Sequence, residues 1–386
     1  MRAGILGGGI AGLGAAIALR LAGHDVHVFE RRHDEGGFGA GVVCWPNAAF
    51  VLRELGVEIE PVAGRPRAMR RLDDEGRELG ALDLRGLNER LGHPSLSVLR
   101  RDLHARLLRR ARELGARVHF GREVVGLEQV EPGRARARFA DGSACAPELL
   151  LGAEGRMRSL ARTYVNGSSA PIYQNFVNWI GVYAEEGGLS FAPEVHDYWG
   201  VGERFGLVPV SERVAYWAGG AARVDVQPRV PGGELREQLL ERFGDWPDPI
   251  PAVIEGTPTA ALREVYVYDH EPLDTWRRDN VLLIGDAAHA ALPTSGQGAC
   301  QALEDAWHLA RSLAESESLA AACAAFEAQR QAKVRGIQVA GRRLAGAIFA
   351  TDPAACAQRN AEARRTDYDA AVAGMAAFWG SGLPLP

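Results

Sequence analysis

Ala3-Gly4-Ile5-Leu6 leads directly into Gly7-Gly8-Gly9-Ile10-Ala11-Gly12, and this junction constrains the fold more than any other stretch of the chain. The apolar run has the character of a buried parallel strand, and Leu13, Ile17 and Leu21 then recur at helical spacing. Gly7 permits a sharp strand-to-helix turn, Gly9 lets the backbone approach a pyrophosphate, and Gly12 lets helix and strand pack closely. Val26-His27-Val28-Phe29 alternates and closes on Glu30, where a carboxylate accepts hydrogen bonds from ribose hydroxyls. Strand, glycine turn, helix, second strand and terminal acid together specify a dinucleotide-binding βαβ unit. The helix dipole contributes only about 0.3–1 kcal/mol per exposed negative charge, so further anchors for the phosphates are expected elsewhere in the chain.

Composition narrows the partners. With 386 residues, 47% hydrophobic and 24% charged, the chain suits a two-domain soluble α/β enzyme. Its 49 acids against 44 bases give a net charge of −5, which offers no general attraction for nucleic acid or an anionic membrane. Lys333 is the one lysine, so a P-loop is absent and a Schiff-base enzyme is disfavoured, and arginine must do the remaining cationic work. The five cysteines are odd in number and lack a C-x-x-C pair, which fits the reducing cytoplasm. Arg2 and the apolar residues after it superficially imitate a signal peptide, but the glycines at 4, 7, 8, 9, 12 and 14 suit a phosphate turn instead. No metal site is expected: there is no H-E-x-x-H, and His24-x-x-His27 straddles a turn without a third ligand nearby. There is no G-x-S-x-G nucleophile either.

Along the chain, the glycine-rich and charged segment from Arg31 to Phe50, which includes Gly41, is expected to wrap the cofactor before a helix restarts at Ala48. Leu72 to Leu84 has a hairpin pattern broken at Asp73-Asp74-Glu75-Gly76. Asp102 is placed to cap a helix whose Leu103, Leu107, Ala111 and Leu114 share one face. Strands are expected at 118–120, 124–130, 135–139 and 148–151. From Tyr173 to Val267 the texture turns to short aromatic and β-branched runs with one helix at 233–243. Trp179, Trp199, Trp217, Trp246 and Trp276 crowd this stretch or its edge, which suits either a pocket for a flat ligand or an aromatic core. Val281-Leu282-Leu283-Ile284 is a last buried strand, and a long helix opens at Gln297-Gly298-Ala299. The final 70 or so residues read as helices with a break at Asp352-Pro353.

Gly285-Asp286-Ala287-Ala288-His289, Pro293 and Gly296-Gln297-Gly298 make the sequence recognisable: it resembles the class A flavoprotein monooxygenases, the aromatic-ring hydroxylases. The resemblance implies an α/β fold in which a Rossmann-like FAD-binding domain of the glutathione-reductase type is interleaved with a mixed β-sheet substrate domain and followed by a C-terminal helical segment. The corresponding boundaries are 1–70, 96–170 and 267–340 for the FAD-binding domain, 71–95 and 171–266 for the substrate domain, and 341–386 for the C-terminal helices. It further implies that Asp286 meets the ribityl chain, and that Gly296 to Ala299 aim helix amides at the flavin and pyrophosphate. Arg100 is implied to contact the cofactor while Arg101 faces solvent. Glu30 and Arg31 would pair on the adenosine ribose, and Val125 would offer its backbone to adenine. Glu154 in Gly152-Ala153-Glu154-Gly155 stands where the family has aspartate, one methylene shorter. His289 reads as a packing residue. With one dinucleotide fingerprint present, NADH or NADPH is expected to visit transiently as reductant of FAD.

Within the family, the substrate region looks most similar to the FAD-dependent urate hydroxylases, which implies catalytic roles for Asn178, Arg204 and Tyr216 around a flat heterocycle. The implied reaction is hydroxylation of a small aromatic or N-heterocyclic, urate-like ring by O2 through a flavin C4a-hydroperoxide. Ile180 and Cys44 depart from the urate pattern and leave a more lipophilic phenol or quinolone open. A flavin oxidase or dehydrogenase and a non-catalytic flavin-binding protein are the other readings, and oligomeric state is unspecified.

Overall fold

The computed structural model describes residues 1–35, 39–167, 170–185, 187–227 and 231–386, so 36–38 of the segment expected to wrap the cofactor lie outside the described residues. In chain order the strand β1 (Arg2–Leu6), helix α1 (Ile10–Leu21) and strand β2 (Asp25–Glu30) form the opening βαβ unit. β3 (Gly41–Cys44), α2 (Pro46–Glu54), β4 (Ala63–Gly64), the hairpin β5 (Ala68–Asp73) and β6 (Glu78–Asp83), α3 (Leu84–Leu91), β7 (Leu96–Leu99), α4 (Arg100–Glu113) and β8 (Arg117–Phe120) follow. Next come β9 (Val124–Glu131), β10 (Arg134–Phe139), β11 (Ala144–Cys145), β12 (Leu149–Gly152) and α5 (Leu160–Asn166). A second region holds β13 (Ile172–Ala184), β14 (Glu194–Trp199), β15 (Glu203–Pro209), β16 (Val214–Ala222), α6 (Gly232–Phe243), α7 (Ile250–Glu255) and β17 (Arg263–Asp269). The chain then returns through β18 (Arg277–Arg278), β19 (Val281–Leu283), α8 (Asp286–His289), α9 (Gly298–Glu315) and α10 (Leu319–Ile348), and ends in α11 (Pro353–Arg365) and α12 (Tyr368–Gly380).

Two large sheets organise these elements. The first runs β18-β19-β12-β1-β2-β8, parallel from β19 to β8, and its central strands are wholly buried because helices cover them. The second, β17-β13-β16-β15-β14-β5-β6, is antiparallel except where β14 meets β5. It therefore draws residues from Ala68 onward and up to Asp269, a little beyond the 71–95 and 171–266 spans, and α10 runs unbroken through position 341.

One local reading needs correction. Asp102 does not cap α4: the helix begins at Arg100 with Leu99 at its N-cap, and Asp102 lies in the first turn, where it complements the dipole without bonding an end amide. Leu21 closes α1 as its spacing implies, and is 48% exposed because the helix has already turned away from the sheet at its last residue.

The tryptophan-rich stretch divides between two faces. Trp179, Trp217, Phe205 and Phe243 form an apolar core beneath α6 and α7, with Trp217 stacked on Phe205 and its Nε1–H donated to Thr257 Oγ1 at 2.9 Å. These rings are core, not ligand pocket; Trp199 alone of this group of strand tryptophans faces the other side, beside Asp197.

The glycine turn admits a direct test. A Cβ on Gly12 would overlap Gly7 O, and Gly7 itself has φ +112°. Gly12→Ala is expected to lower the unfolding free energy of the apoprotein by about 1–3 kcal/mol through overpacking. Urea unfolding that matches wild type would show that the turn relaxes freely.

Candidate functional site

The first part of the site is the β1–α1 turn. Gly7 N–H donates to Phe29 O at 2.8 Å, locking the turn to β2, while a Cβ on Gly9 would meet nothing within 4 Å. The turn is thus tight on its protein side and open on the other. Glu30, 8% exposed, accepts from Gly8 N–H at 2.8 Å and from Arg32 N–H at 3.0 Å. Its ion pair is with Arg32 Nε at 3.4 Å, whereas Arg31 is exposed and lies in electrostatic reach of Glu154. His104, one turn beyond Arg100 on α4, donates Nε2–H to Gly8 O at 2.8 Å, and burial lowers its pKa.

Three further turns close on this one. Gly285, with φ +56°, packs so tightly on α1 that a Cβ would come within 2.6 Å of Ala11 Cβ. Gly7 presses on the backbone of Ala153 and Glu154, whose segment follows β12. Glu154 is held as a helix cap: its carboxylate accepts from Leu160 N–H, Ala161 N–H and Ser159 Oγ–H, at 3.0, 3.0 and 2.9 Å. Burial raises its pKa against these hydrogen bonds. Pro293 begins a single 3-10 turn that ends at Gly296, φ +63°, after which α9 starts. The amides of Gly298 and Ala299 are among those with no carbonyl inside the helix to meet, and the space at Gly298 is open. Gln297 supplies only backbone there, because its side chain is turned inward and accepts from Asn47 Nδ2 and Gln301 Nε2.

Three arginines, Arg32, Arg100 and Arg156, interact electrostatically beside these turns. The Arg100 guanidinium makes no hydrogen bond or ion pair among the described residues; desolvation lowers its pKa, with Asp286 opposing and Arg156 and Arg32 adding to the shift. Asp286 sits 3.5 Å from Arg156 Nε in the first turn of α8. Val125 lies at a bulge where β9 and β10 shift register, so its backbone is outside the ladder. Two open helix N-termini, an arginine unengaged among the described residues and a carboxylate at the end of β2 form a cradle of donors and acceptors of the kind a dinucleotide such as FAD needs. The residues present fit that cofactor.

Beneath the cradle lies a buried charge cluster that no sequence pattern announced. Arg330 donates to Asp305 Oδ1 at 2.8 Å and Glu304 Oε2 at 2.7 Å, and all three side chains are 0% exposed. Asp305 also accepts from Gly285 N–H at 2.7 Å and His289 Nε2 at 2.6 Å. Burial works to raise the Asp305 pKa, but His289, Arg330 and the Gly285 amide outweigh it and hold it well below the usual carboxylate range. Burial likewise opposes the charge on Arg330, and Glu304 and Asp305 prevail to raise its pKa. His289 thus orients a carboxylate and lies buried, its ring tilted and 5.3 Å from that of Trp276.

The candidate substrate face is the side of the second sheet that carries Asn178, Arg204 and Tyr216. Asn178, Gly220, Arg204 and Trp199 share one cross-strand row, and Ala218 with Gly206, then Tyr216 with Val208, continue the same face. Along β13, β15 and β16, Ile180, Val182, Arg204, Val208, Tyr216 and Ala218 are half-buried, whereas the alternate residues face the aromatic core and are buried. Arg204 Nε donates to Asp197 Oδ1 at 2.5 Å, and Asp197 Oδ2 accepts Trp199 Nε1–H at 2.9 Å, which leaves the outer nitrogens of Arg204 uncommitted. The side chains of Asn178 and Tyr216 have no hydrogen-bond partner among the described residues and do not count among its sealed orphan groups. Tyr216 packs its ring on Gly41, where any side chain would clash, and feels Cys44 and Cys300 electrostatically. Burial pushes its phenol far above the ordinary value, with the cysteines adding and Arg204 opposing. Cys300, in the first turn of α9, reaches Val43 O of β3 with its Sγ at 3.6 Å, and Gly41 of the same strand carries the Tyr216 ring, so this sheet face and the start of α9 adjoin across β3.

A family model described as an FAD binding domain matches residues 1–335. Aurachin C monooxygenase/isomerase from Stigmatella aurantiaca is 34% identical over 350 residues, 89% of this chain and 88% of that protein. The FAD-dependent urate hydroxylase of Klebsiella pneumoniae is 30% identical over 354 residues, 89% of each chain. Among solved structures, Klebsiella pneumoniae HpxO complexed with FAD and uric acid has a TM-score of 0.90 at 29% identity, covering 99% of this chain and 97% of that one. No helix among the described residues is long and apolar enough to cross a membrane, and none of their acidic, histidine and cysteine side chains cluster to hold a metal.

Removing one partner of the buried cluster has a signed pH signature. Asp305 has a folded pKa below its unfolded value of about 3.9, so its stabilisation is complete above that pH and drains away as pH falls below it. Asp305→Asn leaves Arg330 with only Glu304, a carboxylate that Lys333 already shares, and so leaves one buried positive charge uncompensated; the expected cost is about 3–5 kcal/mol at pH 7. The gap from wild type should narrow in urea titrations below about pH 4; a constant gap would remove Asp305 from the acid transition.

Proposed function

This chain belongs to the FAD binding domain family, among the class A flavoprotein hydroxylases, and on that premise we propose that it is a monooxygenase that hydroxylates a small, flat N-heterocyclic or aromatic ring, urate-like in shape, with O2 and NADH or NADPH. The observation that carries this reading is the convergence of Arg204, Tyr216 and Asn178 on one sheet face that meets the open N-terminus of α9.

Bound FAD supplies hydride acceptance and oxygen activation; the protein's own residues bind and orient the ring. Asp197 fixes the Arg204 guanidinium by its Nε, so its outer N–H groups face a ring oxygen without an entropic search. A guanidinium there favours the anionic, electron-rich form of the substrate. Tyr216 stays protonated through neutral pH and serves as a neutral hydroxyl donor or acceptor, and Asn178 offers an amide with both functions. Gly206, Ala218 and Gly220 keep the floor shallow enough for a planar ligand. On the cofactor side, Gly7, Gly9, Gly12, Glu30, Arg31, Gly41, Arg100, Val125, Glu154, Asp286, Pro293, Gly296, Gln297, Gly298 and Ala299 are assigned to the FAD cradle. Gly41, Glu154 and Gln297 act there through packing, capping and backbone.

A larger, more apolar ring is the second reading. Ile180, Val182, Val208 and Ala218 surround the polar trio with half-buried hydrocarbon, which suits a phenol or quinolone better than a purely polar heterocycle.

Product accounting tests the proposal. The flavin-loaded protein, given NADH or NADPH with urate and with a quinolone, should consume O2 with stoichiometric hydroxylated product; peroxide without hydroxylated product across the ring panel would overturn it in favour of an oxidase. Arg204→Ala is expected to retain FAD and lose about 10²–10³ in kcat for hydroxylation. Loss of FAD instead would move Arg204 to the cofactor.

A further inference from the structure

The family match ends at residue 335, yet the last helix reaches back to the cofactor cradle. Trp379, near the end of α12 and 9% exposed, packs its ring 5.2 Å from that of Trp45, which is 3% exposed. Trp45 donates its indole N–H to Gly296 O at 2.8 Å, and a Cβ on Gly296 would come within 3.2 Å of that nitrogen. Gly296 is the left-handed residue from which α9 starts. The backbone around Trp379 is itself held: Lys333 Nζ donates to Trp379 O at 2.6 Å and to Ser381 O at 2.9 Å. The same ammonium bonds both carboxylate oxygens of the buried Glu304, at 3.1 and 2.9 Å. Glu304 in turn accepts from Asn47 Nδ2, in the helix that follows Trp45, and from Gln301 Nε2 in α9.

We propose that α12 belongs to the cofactor-binding apparatus, with Trp379 and Lys333 as positioning residues that set the Gly296 carbonyl through Trp45 and thereby aim the first amides of α9 at FAD. This rests on the assignment of the Gly296 to Ala299 turn to the cofactor. Two features argue that the contact is more than general packing. Gly296 needs an imposed φ of +63°, and its carbonyl finds an indole donor held on two sides rather than solvent. The sole lysine of the chain is spent on fixing two carbonyls of the C-terminal turn, where a diffuse apolar contact would have sufficed for stability.

The test uses full-length protein. Trp379→Leu is expected to raise the FAD dissociation constant, measured by flavin fluorescence on apoprotein, about tenfold, the order typical of lost outer-sphere support. Trp379→Phe should restore most of it. In the holoenzyme, hydrogen exchange should quicken across 293–300 and stay unchanged across 5–14, the other glycine turn. Equal quickening in both turns, or an unchanged dissociation constant, overturns the proposal. If Trp379→Leu does not fold, Trp45→Phe keeps an aromatic ring while deleting the indole donor to Gly296, and an unaltered dissociation constant there is equally fatal. Gly298→Glu serves as control for the underlying assignment: if it leaves FAD affinity intact, the turn does not meet the cofactor, whereas weakened binding there beside a silent Trp379→Leu sinks the proposal alone.

Discussion

Arg330 lies at the centre of the structure with two carboxylates and no solvent, and the geometry of the cofactor cradle follows from that fact. An unpaired charge at that depth would cost several kcal/mol even after relaxation, so Glu304 and Asp305 are compelled to their places on α9. Asp305 then dictates where the Gly285 amide sits, and with it the turn carrying Asp286. Glu304 dictates where Asn47, Gln301 and Lys333 converge. Two of the turns assigned above to the cofactor, at Gly285 and at Gly296, are thus referred to one charged centre, and Gly285 packs against α1 at Ala11.

The substrate sheet solves a different problem, that of presenting polar groups on a surface that must also hold an aromatic core. Strict alternation does this: Phe205, Trp217 and Trp179 go to the α6–α7 side, and Arg204, Tyr216 and Asn178 go to the other. One residue of slip in β15 or β16 would exchange the two sets, so the aromatic core fixes the register that creates the site. The pairing of half-buried Arg204 with buried Asp197 adds orientation to register. It commits one edge of the guanidinium to the protein and leaves the other for a ligand.

The parts of this architecture written in local sequence were legible, and the parts that depend on which strands become neighbours were not. The Gly7 to Gly12 turn, the Glu30 terminus and the helix start at Gly298 each follow from residue spacing alone, because a tight turn against backbone admits little but glycine. The face shared by Asn178, Arg204 and Tyr216 came from family resemblance; nothing local says that Arg204 and Asn178 lie either side of Gly220. Arg32 rather than Arg31 reaches Glu30 because β2 ends there and the chain bends, a rotation invisible to composition. Asp102 looked like a cap because caps are acidic, but α4 begins two residues earlier on the edge of β7. Lys333 was conspicuous as the single lysine, yet its partners lie on α9 and beyond α12, far away in sequence.

A charged centre is a poor way to gain stability, since well-packed hydrocarbon of the same volume does as well or better. Its advantage here is directional. Apolar side chains hold helices at a distance but say little about rotation, whereas a guanidinium that gives separate nitrogens to two carboxylates fixes both. The amides of α9 must point at one place, and Gly285 must stop at one φ, for a rigid cofactor to be met by backbone rather than by adaptable side chains. Buried ion pairs, an indole held between a carbonyl and a second indole, and a lysine clasping the chain's last turn all supply orientation rather than mere cohesion. The cradle is therefore built from the one class of interaction that loses most when displaced by a fraction of an ångström, which is what a site that binds through backbone amides requires.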